Sequence, residues 1–205
     1  LLLVGAQLGW LLLAHHTTQA RAPRWAVAVA VVAGLLLRLD VAAFPPRHSD
    51  DVYRYVWDGR VMAHGINPYR FAPDDPQLAP LRDEAHARIN HPHLPTIYPP
   101  LAEHLFGLLA RVPGDPVRVV RVAVSLAELA TALVLMLHLG RRALWWWCAP
   151  LVAWELWGDA HVDGLAILGL VVALWLAARD RQAWSGLALG LSAACKPFAL
   201  PLVAL

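Results

Sequence analysis

Two adjacent acids, Asp50 and Asp51, begin a short segment that is dense in arginine and aromatic residues. If Asp51 starts a helix, helical spacing places Arg54, Tyr55 and Asp58 near its face. A carboxylate in such surroundings can remove the proton of a sugar or alcohol hydroxyl, or hold a divalent cation. An acid here can also be a helix cap that accepts from free backbone N–H groups. We expect one acid to cap and the other to act as a base, with Asp51 preferred and Asp50 second.

Histidines appear near two further polar segments. His91 and His93 could bind a metal together with one of the first acids, although their spacing fixes no third ligand. His161 lies between Asp159 and Asp163, and a carboxylate could orient it to donate to a phosphate or sugar hydroxyl. The alternative for this second segment is a solvated turn between helices. No cofactor is certain from these residues, and a divalent cation is the one that they suggest.

The composition indicates a membrane protein. Hydrophobic residues make up 59% of the 205 residues, and the mean hydropathy is +0.49, whereas soluble domains contain about 45–50% apolar residues. The net charge of +2, with no basic stripe interleaved with aromatic residues, argues against a nucleic-acid partner. Cys148 and Cys195 both lie in apolar segments, so we expect buried thiols rather than a disulfide.

Apolar segments long enough to cross a bilayer alternate with polar ones. A spanning helix needs roughly 20 apolar residues, and residues 25–44 and 122–140 meet this length. The other apolar segments are residues 1–14, 101–112, 143–157, 164–178 and 184–205. We predict an all-α, multi-pass transmembrane bundle, with residues 1–205 as the N-terminal part of one catalytic domain. The chain begins and ends inside apolar runs without an initiator Met, so we expect a fragment of a longer protein.

Lys196 is the only lysine in the chain, and it lies within an apolar segment. Ionisable residues in such segments are energetically costly and tend to mark function. A cation there can stabilise a departing lipid phosphate, and Arg38, near the end of another apolar segment, is a second candidate. The alternatives for Lys196 are an ion pair with Glu128 or Glu155, or a side chain that extends to the membrane surface.

The basic residues predict an orientation in the membrane, because cytoplasmic loops carry an excess of Arg and Lys. If Arg21 and Arg24 are inside, residues 25–44 lead out of the cell, and residues 45–116 form a large extracytoplasmic loop with short surface helices. Within this loop, residues 101–112 are too short to cross the membrane. The remaining basic clusters then also face inward, at Arg141, Arg142, Arg179 and Arg181. The first acids, the second polar segment and the lysine would therefore share the outer side.

Several short motifs follow one another between residues 38 and 205. They are Ser49-Asp50-Asp51-Val52-Tyr53-Arg54-Tyr55, Trp57-Asp58-Gly59-Arg60, Gly65-Ile66-Asn67-Pro68-Tyr69, Ile97-Tyr98-Pro99-Pro100-Leu101, His161-Val162-Asp163-Gly164 and Leu189-Gly190-Leu191-Ser192-Ala193-Ala194-Cys195-Lys196-Pro197. In this order they resemble bacterial GT-C-type integral-membrane glycosyltransferases, and among these the polyprenol-phosphate-mannose-dependent mannosyltransferases. The first motif is the most specific part of the resemblance.

The resemblance implies an inverting enzyme of the bacterial cytoplasmic membrane with an extracytoplasmic active site. Its donor would be a sugar, mannose, on a polyprenyl phosphate, and its acceptor a glycan or glycolipid bound in the large loop. The acidic motif of the family falls on Asp50 and Asp51, and a Lys-Pro position falls on Lys196. No nucleotide is needed, which agrees with the absence of a glycine-rich phosphate loop from the sequence.

We therefore expect a single displacement at the anomeric carbon, in which Asp51 or Asp50 takes the proton of the acceptor. The residues expected to bind the donor phosphate are Lys196, Arg38, Arg54 and His161. Those expected to contact the substrates are Tyr55, Trp57, Asp58, Arg60, Asn67, Tyr69, Tyr98 and Asp163. Two other functions stay open: a transporter or flippase of lipid-linked saccharides, which would carry charges near the midplane at broken helices, and a non-catalytic membrane assembly protein.

Overall fold

The computed structural model describes residues 2–19 and 22–204, and within them the chain forms helices and loops without a strand. The α-helices are α1 Leu2–Thr18, α2 Arg24–Ala42, α3 Asp51–Ala63, α4 Pro100–Leu109, α5 Pro116–Leu139, α6 Leu144–Trp147, α7 Pro150–Val152, α8 Asp163–Ala177 and α9 Gln182–Cys195. Single turns and short segments of 3₁₀ helix cover Pro76–Leu81, His86–Arg88, Gly140–Ala143 and Pro197–Ala204, and a π-helix covers Ala153–Gly158. The all-α prediction is confirmed for the described residues.

Two helical segments are long and apolar enough to cross a membrane, Arg24–Ala42 and Pro116–Trp147. They coincide with the two full-length spans expected from the sequence. Only 22% of each apolar window is buried inside the protein, so most of these side chains face outward, as they do in a lipid-facing helix. The two helices suggest membrane association, while further crossings by the shorter helices stay a prediction. Arg21, which the predicted orientation used, lies outside the described residues.

The structure divides two segments that the sequence suggested as spans. Residues 143–157 form short pieces instead of one helix, because Pro150 lacks a backbone N–H and starts a new turn. In residues 184–205, α9 ends at Cys195 and Lys196 is extended, with φ −152° and ψ 132°. A residue before proline avoids the α region, and Pro197 follows Lys196 directly. The lysine therefore lies at a helix end rather than inside a continuous helix.

Helix α3 is buried along almost its whole length and packs between α4 and α5. Its Gly59 meets the backbone of Phe106, where an added Cβ would come within 2.4 Å of the Phe106 carbonyl oxygen. The absence of a side chain at Gly59 allows α3 and α4 to approach closely. Tyr55 then stacks on the Phe106 ring at 4.7 Å and meets the edge of Tyr98 at 5.1 Å. These contacts hold the N-terminal half of α3 against the segment that precedes α4.

A fully buried ion pair joins α2 to α5. Arg38 Nη2 and Nε donate to the two oxygens of Glu128 at 2.7 and 3.0 Å, and both side chains are 0% exposed. The Nη1 atom of Arg38 donates to the carbonyl of Trp147 at 2.7 Å. Glu128 also accepts from the indole N–H groups of Trp146 and Trp157 at 2.8 and 3.0 Å. The ion pair and its hydrogen bonds therefore hold α2, α5, α6 and the π-helix together.

We expect Arg38→Leu to destabilise the protein strongly, because it leaves the Glu128 carboxylate buried without its cation. Removing one partner of a buried pair costs about 3–5 kcal/mol. The measurement is thermal unfolding of the purified full-length protein in detergent, compared with wild type.

Arg142→Leu is the matched control, because Arg142 is exposed and its loss should change stability by no more than about 0.5 kcal/mol. An Arg38→Leu/Glu128→Leu double variant should recover part of the loss by removing both charges, although it leaves two indole N–H groups without their acceptor. Equal unfolding temperatures for Arg38→Leu and Arg142→Leu would contradict the structural role of the pair.

Candidate functional site

A cleft of about 510 Å³ opens beside the N-terminal half of α3. Residues from separate parts of the chain line it: α3, the loop before α4, and the break after α9. Its polar lining comes from Asp51, Arg54, Asn90, His91, Tyr98 and Lys196. The cleft thus brings the first acidic motif together with the only lysine.

Asp51 is held in place and still accessible from the cleft. Asn90 Nδ2 donates to Asp51 Oδ1 at 3.0 Å, and Asp51 Oδ2 lies 3.9 Å from His161 Nε2. The Asp51 side chain is 29% exposed. A carboxylate oriented by an amide donor and open to the cleft has the geometry needed to accept a proton from a bound hydroxyl.

Asp50 occupies the N-cap position of α3, yet its side chain makes no capping hydrogen bond. Instead, Ser49 Oγ accepts from the backbone N–H of Asp51 at 3.2 Å. One of the two acids therefore occupies the predicted cap position, but Ser49 rather than Asp50 supplies the side-chain acceptor. Asp50 is exposed and does not line the cleft, whereas Asp51 does. The structure thus distinguishes the positions of Asp50 and Asp51, whereas the sequence only favoured Asp51 over Asp50 as the base.

His161 links Asp51 to Glu155. Its Nδ1 lies 2.5 Å from Glu155 Oε2, and its Nε2 faces Asp51. A left-handed residue, Ala160 with φ 60°, turns the chain so that His161 reaches the end of α3. The backbone N–H of the next residue, Val162, donates to the Tyr55 hydroxyl at 3.4 Å. The second polar segment therefore contacts α3 directly next to Asp51, and its residues are not among those that line the cleft.

Two phenols lie near Asp51, and one of them, Tyr98, lines the cleft. Burial raises the pKa of Tyr55 and of Tyr98 well above the usual range, and the nearby carboxylate of Asp51 raises both further. Both hydroxyls therefore stay protonated at physiological pH. They act as neutral hydrogen-bonding groups beside Asp51 and do not serve as bases.

Lys196 Nζ donates to Asp163 Oδ2 at 2.8 Å, and it lies 5.9 Å from the centre of the Tyr98 ring. Asp163 belongs to the first turn of α8, so this ion pair joins the start of α8 to the end of α9. The pairs with Glu128 or Glu155 that the sequence allowed do not form. Both members of the observed pair are partly exposed, which leaves the ammonium group reachable from the cleft.

Arg54 is clamped at the back of the cleft. Its Nε donates to both oxygens of Asp58 at 3.0 and 2.9 Å, and its Nη2 donates to the Leu94 carbonyl at 3.0 Å. Asp58 also lies near Glu103, which accepts from Thr96 Oγ1 at 2.6 Å. Burial, together with repulsion from Asp58, raises the pKa of Glu103 to about 8. Burial also raises the pKa of Asp58, and the positive charge of Arg54 opposes that rise.

Several predicted site residues lie away from the cleft. Arg38 is enclosed in its ion pair with Glu128, and Trp57 is buried in the core beside the His86 ring. Arg60 donates to the Leu81 carbonyl at 2.9 Å and pairs with Asp83. These contacts hold elements of the fold together and do not bring the side chains to Asp51.

Asn67 and Tyr69 support the cleft indirectly. Asn67 Oδ1 accepts from the backbone N–H of Tyr69 at 2.9 Å, which closes the turn after α3. Tyr69 then donates its hydroxyl to the backbone carbonyl of Tyr98 at 2.6 Å. This bond helps to fix the segment that carries Tyr98 into the cleft.

His91 and His93 have ring centres 6.0 Å apart. Among the described residues, no group of three or more His, Cys, Asp or Glu side chains is placed to hold a metal ion. The described residues therefore provide no set of ligands for the divalent cation that the sequence suggested.

Sequence reasoning missed the roles of Asn90, Glu155 and Glu103. Asn90 has no distinguishing signal in the sequence, and Glu155 is predicted only as a possible partner for Lys196. Glu103 carried a usable signal, because it is the single acid of a helix that is apolar apart from His104. Asn90 contacts a residue 39 positions away in the chain, whereas Glu155 and Glu103 contact residues six and seven positions away.

We expect Glu103 to make stability depend on pH. Between about pH 4.5 and about pH 8 the folded protein keeps a proton on Glu103 that the unfolded chain releases, so the free energy of unfolding falls as pH rises through this window. The unfolding temperature of Glu103→Gln should therefore fall less steeply between pH 5 and pH 8 than that of wild type.

Glu84→Gln is the control for this measurement, because Glu84 is an exposed acid that also lies within residues 45–116. The unfolding temperature of Glu84→Gln should depend on pH in the same way as that of wild type. Parallel profiles for Glu103→Gln and wild type would show that Glu103 does not hold its proton in the folded state.

Comparison with known proteins identifies the family. The family model described as alpha-(1->6)-mannopyranosyltransferase, N-terminal domain, matches residues 1–205. No curated protein and no solved structure matches the chain. The match covers the whole sequence, and it confirms the resemblance to GT-C-type mannosyltransferases. The chain belongs to the MptA_B family, whose model describes the N-terminal domain of an alpha-(1->6)-mannopyranosyltransferase.

Proposed function

We propose that this domain transfers mannose from a polyprenyl-phosphate donor to a hydroxyl of a glycan or glycolipid acceptor. The observation that carries the proposal is the shared cleft of Asp51 and Lys196. Glycosyl transfer needs a base at the attacking hydroxyl and a cation at the leaving phosphate. The cleft supplies one of each, in a chain that belongs to a mannosyltransferase family.

In the proposed reaction, Asp51 removes the proton of the acceptor hydroxyl as the oxygen attacks the anomeric carbon. The bond from that carbon to the phosphate oxygen breaks, and its electron pair leaves with the polyprenyl phosphate. Asn90 keeps the Asp51 carboxylate oriented through its 3.0 Å hydrogen bond. His161, with Nε2 3.9 Å from Asp51, is placed to receive the proton afterwards and pass it on.

Lys196 is proposed to exchange partners during the reaction. Without substrate its ammonium donates to Asp163 at 2.8 Å. A donor phosphate entering the cleft would compete with Asp163 for the same charge, and the charge would stabilise the phosphate as it leaves. Arg54, clamped by Asp58 and lining the same cleft, adds a second positive group.

The stereochemistry of the donor follows from the proposed mechanism. A single displacement inverts the anomeric carbon. The family name specifies an α-(1→6) linkage, so a transferase of this kind must start from a β-linked mannosyl phosphate. The apolar surface of the helices would bind the prenyl chain at about 0.8 kcal/mol per buried CH₂ group.

We expect Asp51→Asn to lower transfer by about 10²–10⁴-fold, because the amide cannot accept the acceptor proton. The measurement uses membrane vesicles containing the full-length protein and radiolabelled polyprenyl-phosphate mannose. Lys196→Met should lower the rate of transfer by about 10²–10³-fold through loss of charge at the leaving phosphate.

Asp50→Asn is the matched control, because this neighbouring acid is exposed and lies outside the cleft. It should retain most of the activity. If Asp51→Asn is folded and fully active, Asp51 is not the base. Movement of the labelled lipid across the vesicle membrane without transfer would instead support the flippase alternative.

We also propose that the cleft faces the extracytoplasmic side of the cytoplasmic membrane. Asp51, His161 and Lys196, which the charge pattern assigned to one side, meet at one end of the helices. A protease-cleavable tag inserted beside the exposed Asp74 should be cut by protease added to intact spheroplasts. A tag beside the exposed Arg179 is the control and should be protected. The reverse pattern would invert the orientation.

A further inference from the structure

Two further cavities lie away from the cleft that Asp51 and Lys196 share, which we call the transfer cleft. The first of them lies on the opposite face of α3. Tyr53 and Val56 line a cleft of about 360 Å³, whereas Asp51 and Arg54 line the transfer cleft. At 3.6 residues per turn, the two sets of positions lie on different sides of the helix. The second cleft is therefore separated from the proposed site of transfer by α3 itself.

This second cleft is continuous with an apolar groove of about 440 Å³ along α5. The cleft and the groove share Pro45, Arg118 and Arg121 in their walls. The apolar lining of the groove is provided chiefly by Phe44, Val122, Leu126, Leu129 and Trp157. Among the described residues that line the groove, the only charged ones are the two arginines. A groove of this kind on a membrane-spanning helix is open to lipid chains.

Arg121 is fixed in position by backbone carbonyls. Its Nη2 donates to the carbonyls of Trp157 and Val41 at 3.0 and 3.3 Å, and its Nε also donates to Trp157 at 3.3 Å. Arg118 lies one turn earlier on α5 and has an exposed side chain. In the described part of the chain, no carboxylate forms an ion pair with either guanidinium. The charge of Asp159 acts on Arg121 from beyond ion-pair distance. The two guanidinium groups therefore stand where the groove meets the second cleft, with no described carboxylate in ion-pair contact with either.

The acids that line the second cleft form no ion pair with these two arginines. Asp83 is paired with Arg60. Asp115 Oδ1 accepts from the backbone N–H of Arg118 at 2.7 Å, as the cap of α5. Asp83, Glu84 and Asp115 line the second cleft, and none of them lines the groove. The charged side chains described in the wall of the groove are thus the two arginines alone.

We propose that Arg118 and Arg121 bind the phosphate of an anionic membrane phospholipid, with one acyl chain lying in the groove along α5. Basic residues at the membrane end of an apolar groove bind lipid phosphate by charge, and the groove removes the chain from bulk lipid. A free phosphate would gain nothing from the apolar wall, which is why the site is assigned to a lipid. The site does not depend on the proposed transfer reaction, since it shares no residue with the transfer cleft.

The test compares two phospholipids with identical acyl chains, phosphatidylglycerol and phosphatidylcholine. Full-length protein in detergent is incubated with an equal mixture, and the retained lipids are counted by native mass spectrometry. Wild type should retain phosphatidylglycerol preferentially. The preference should fall about fivefold for each arginine lost in Arg118→Gln and Arg118→Gln/Arg121→Gln, because each cation attracts an anionic lipid by a similar amount.

Arg111→Gln is the matched control, because Arg111 is exposed and lies outside both cavities; it should keep the wild-type preference. Ser125→Phe, which adds a ring to the groove wall, should reduce the retention of phosphatidylglycerol while both arginines remain. The Arg118→Gln variant alone keeps the test valid if loss of Arg121 unfolds the protein, since only the backbone of Arg118 takes part in a described hydrogen bond.

Three outcomes would overturn the proposal. One is equal retention of the two lipids by wild type, and another is an unchanged preference in folded Arg118→Gln and in the double variant. The third is stabilisation of the protein against heat by inorganic phosphate to the same extent as by phosphatidylglycerol, because the groove would then add nothing.

Discussion

The buried pair between Arg38 and Glu128 is the contact on which the candidate site depends. Glu128 accepts from Trp157 at 3.0 Å, and Trp157 belongs to the same π-helix as Glu155. Glu155 in turn holds His161 at 2.5 Å, facing Asp51. A charge pair that lies outside the cleft is thus linked, through these contacts, to the histidine that faces Asp51. Because both charges are fully buried, the attraction between them is not weakened by solvent.

Helix α3 separates two environments. Asp51 and Arg54, on one face, line the transfer cleft. Tyr53 and Val56, on the other face, line the second cleft, which adjoins the apolar groove. A helix that is buried on all sides can serve both because side chains three and four residues apart share a face, while those two apart do not.

The cleft also explains how a strongly charged site is compatible with a small net charge. Each cation near Asp51 has its own carboxylate: Lys196 has Asp163 at 2.8 Å, and Arg54 has Asp58 at 2.9 Å. Glu103 adds a third carboxyl group, but burial and the nearby Asp58 raise its pKa to about 8, which keeps it neutral near pH 7. The pair of Lys196 with Asp163 is partly exposed, whereas the pair of Arg54 with Asp58 is buried.

The sequence by itself determined the helical class, the two long apolar helices, the acidic motif and the family, because composition, periodicity and local motifs are properties of neighbouring residues. It also singled out Lys196 and His161 from their unusual positions. Only the tertiary structure decided that Asp51 rather than Asp50 lines the cleft, that Lys196 pairs with Asp163, and that Arg38 serves the fold. These outcomes depend on contacts between residues far apart in the chain, where packing and burial of charge select one partner among several that local spacing allows.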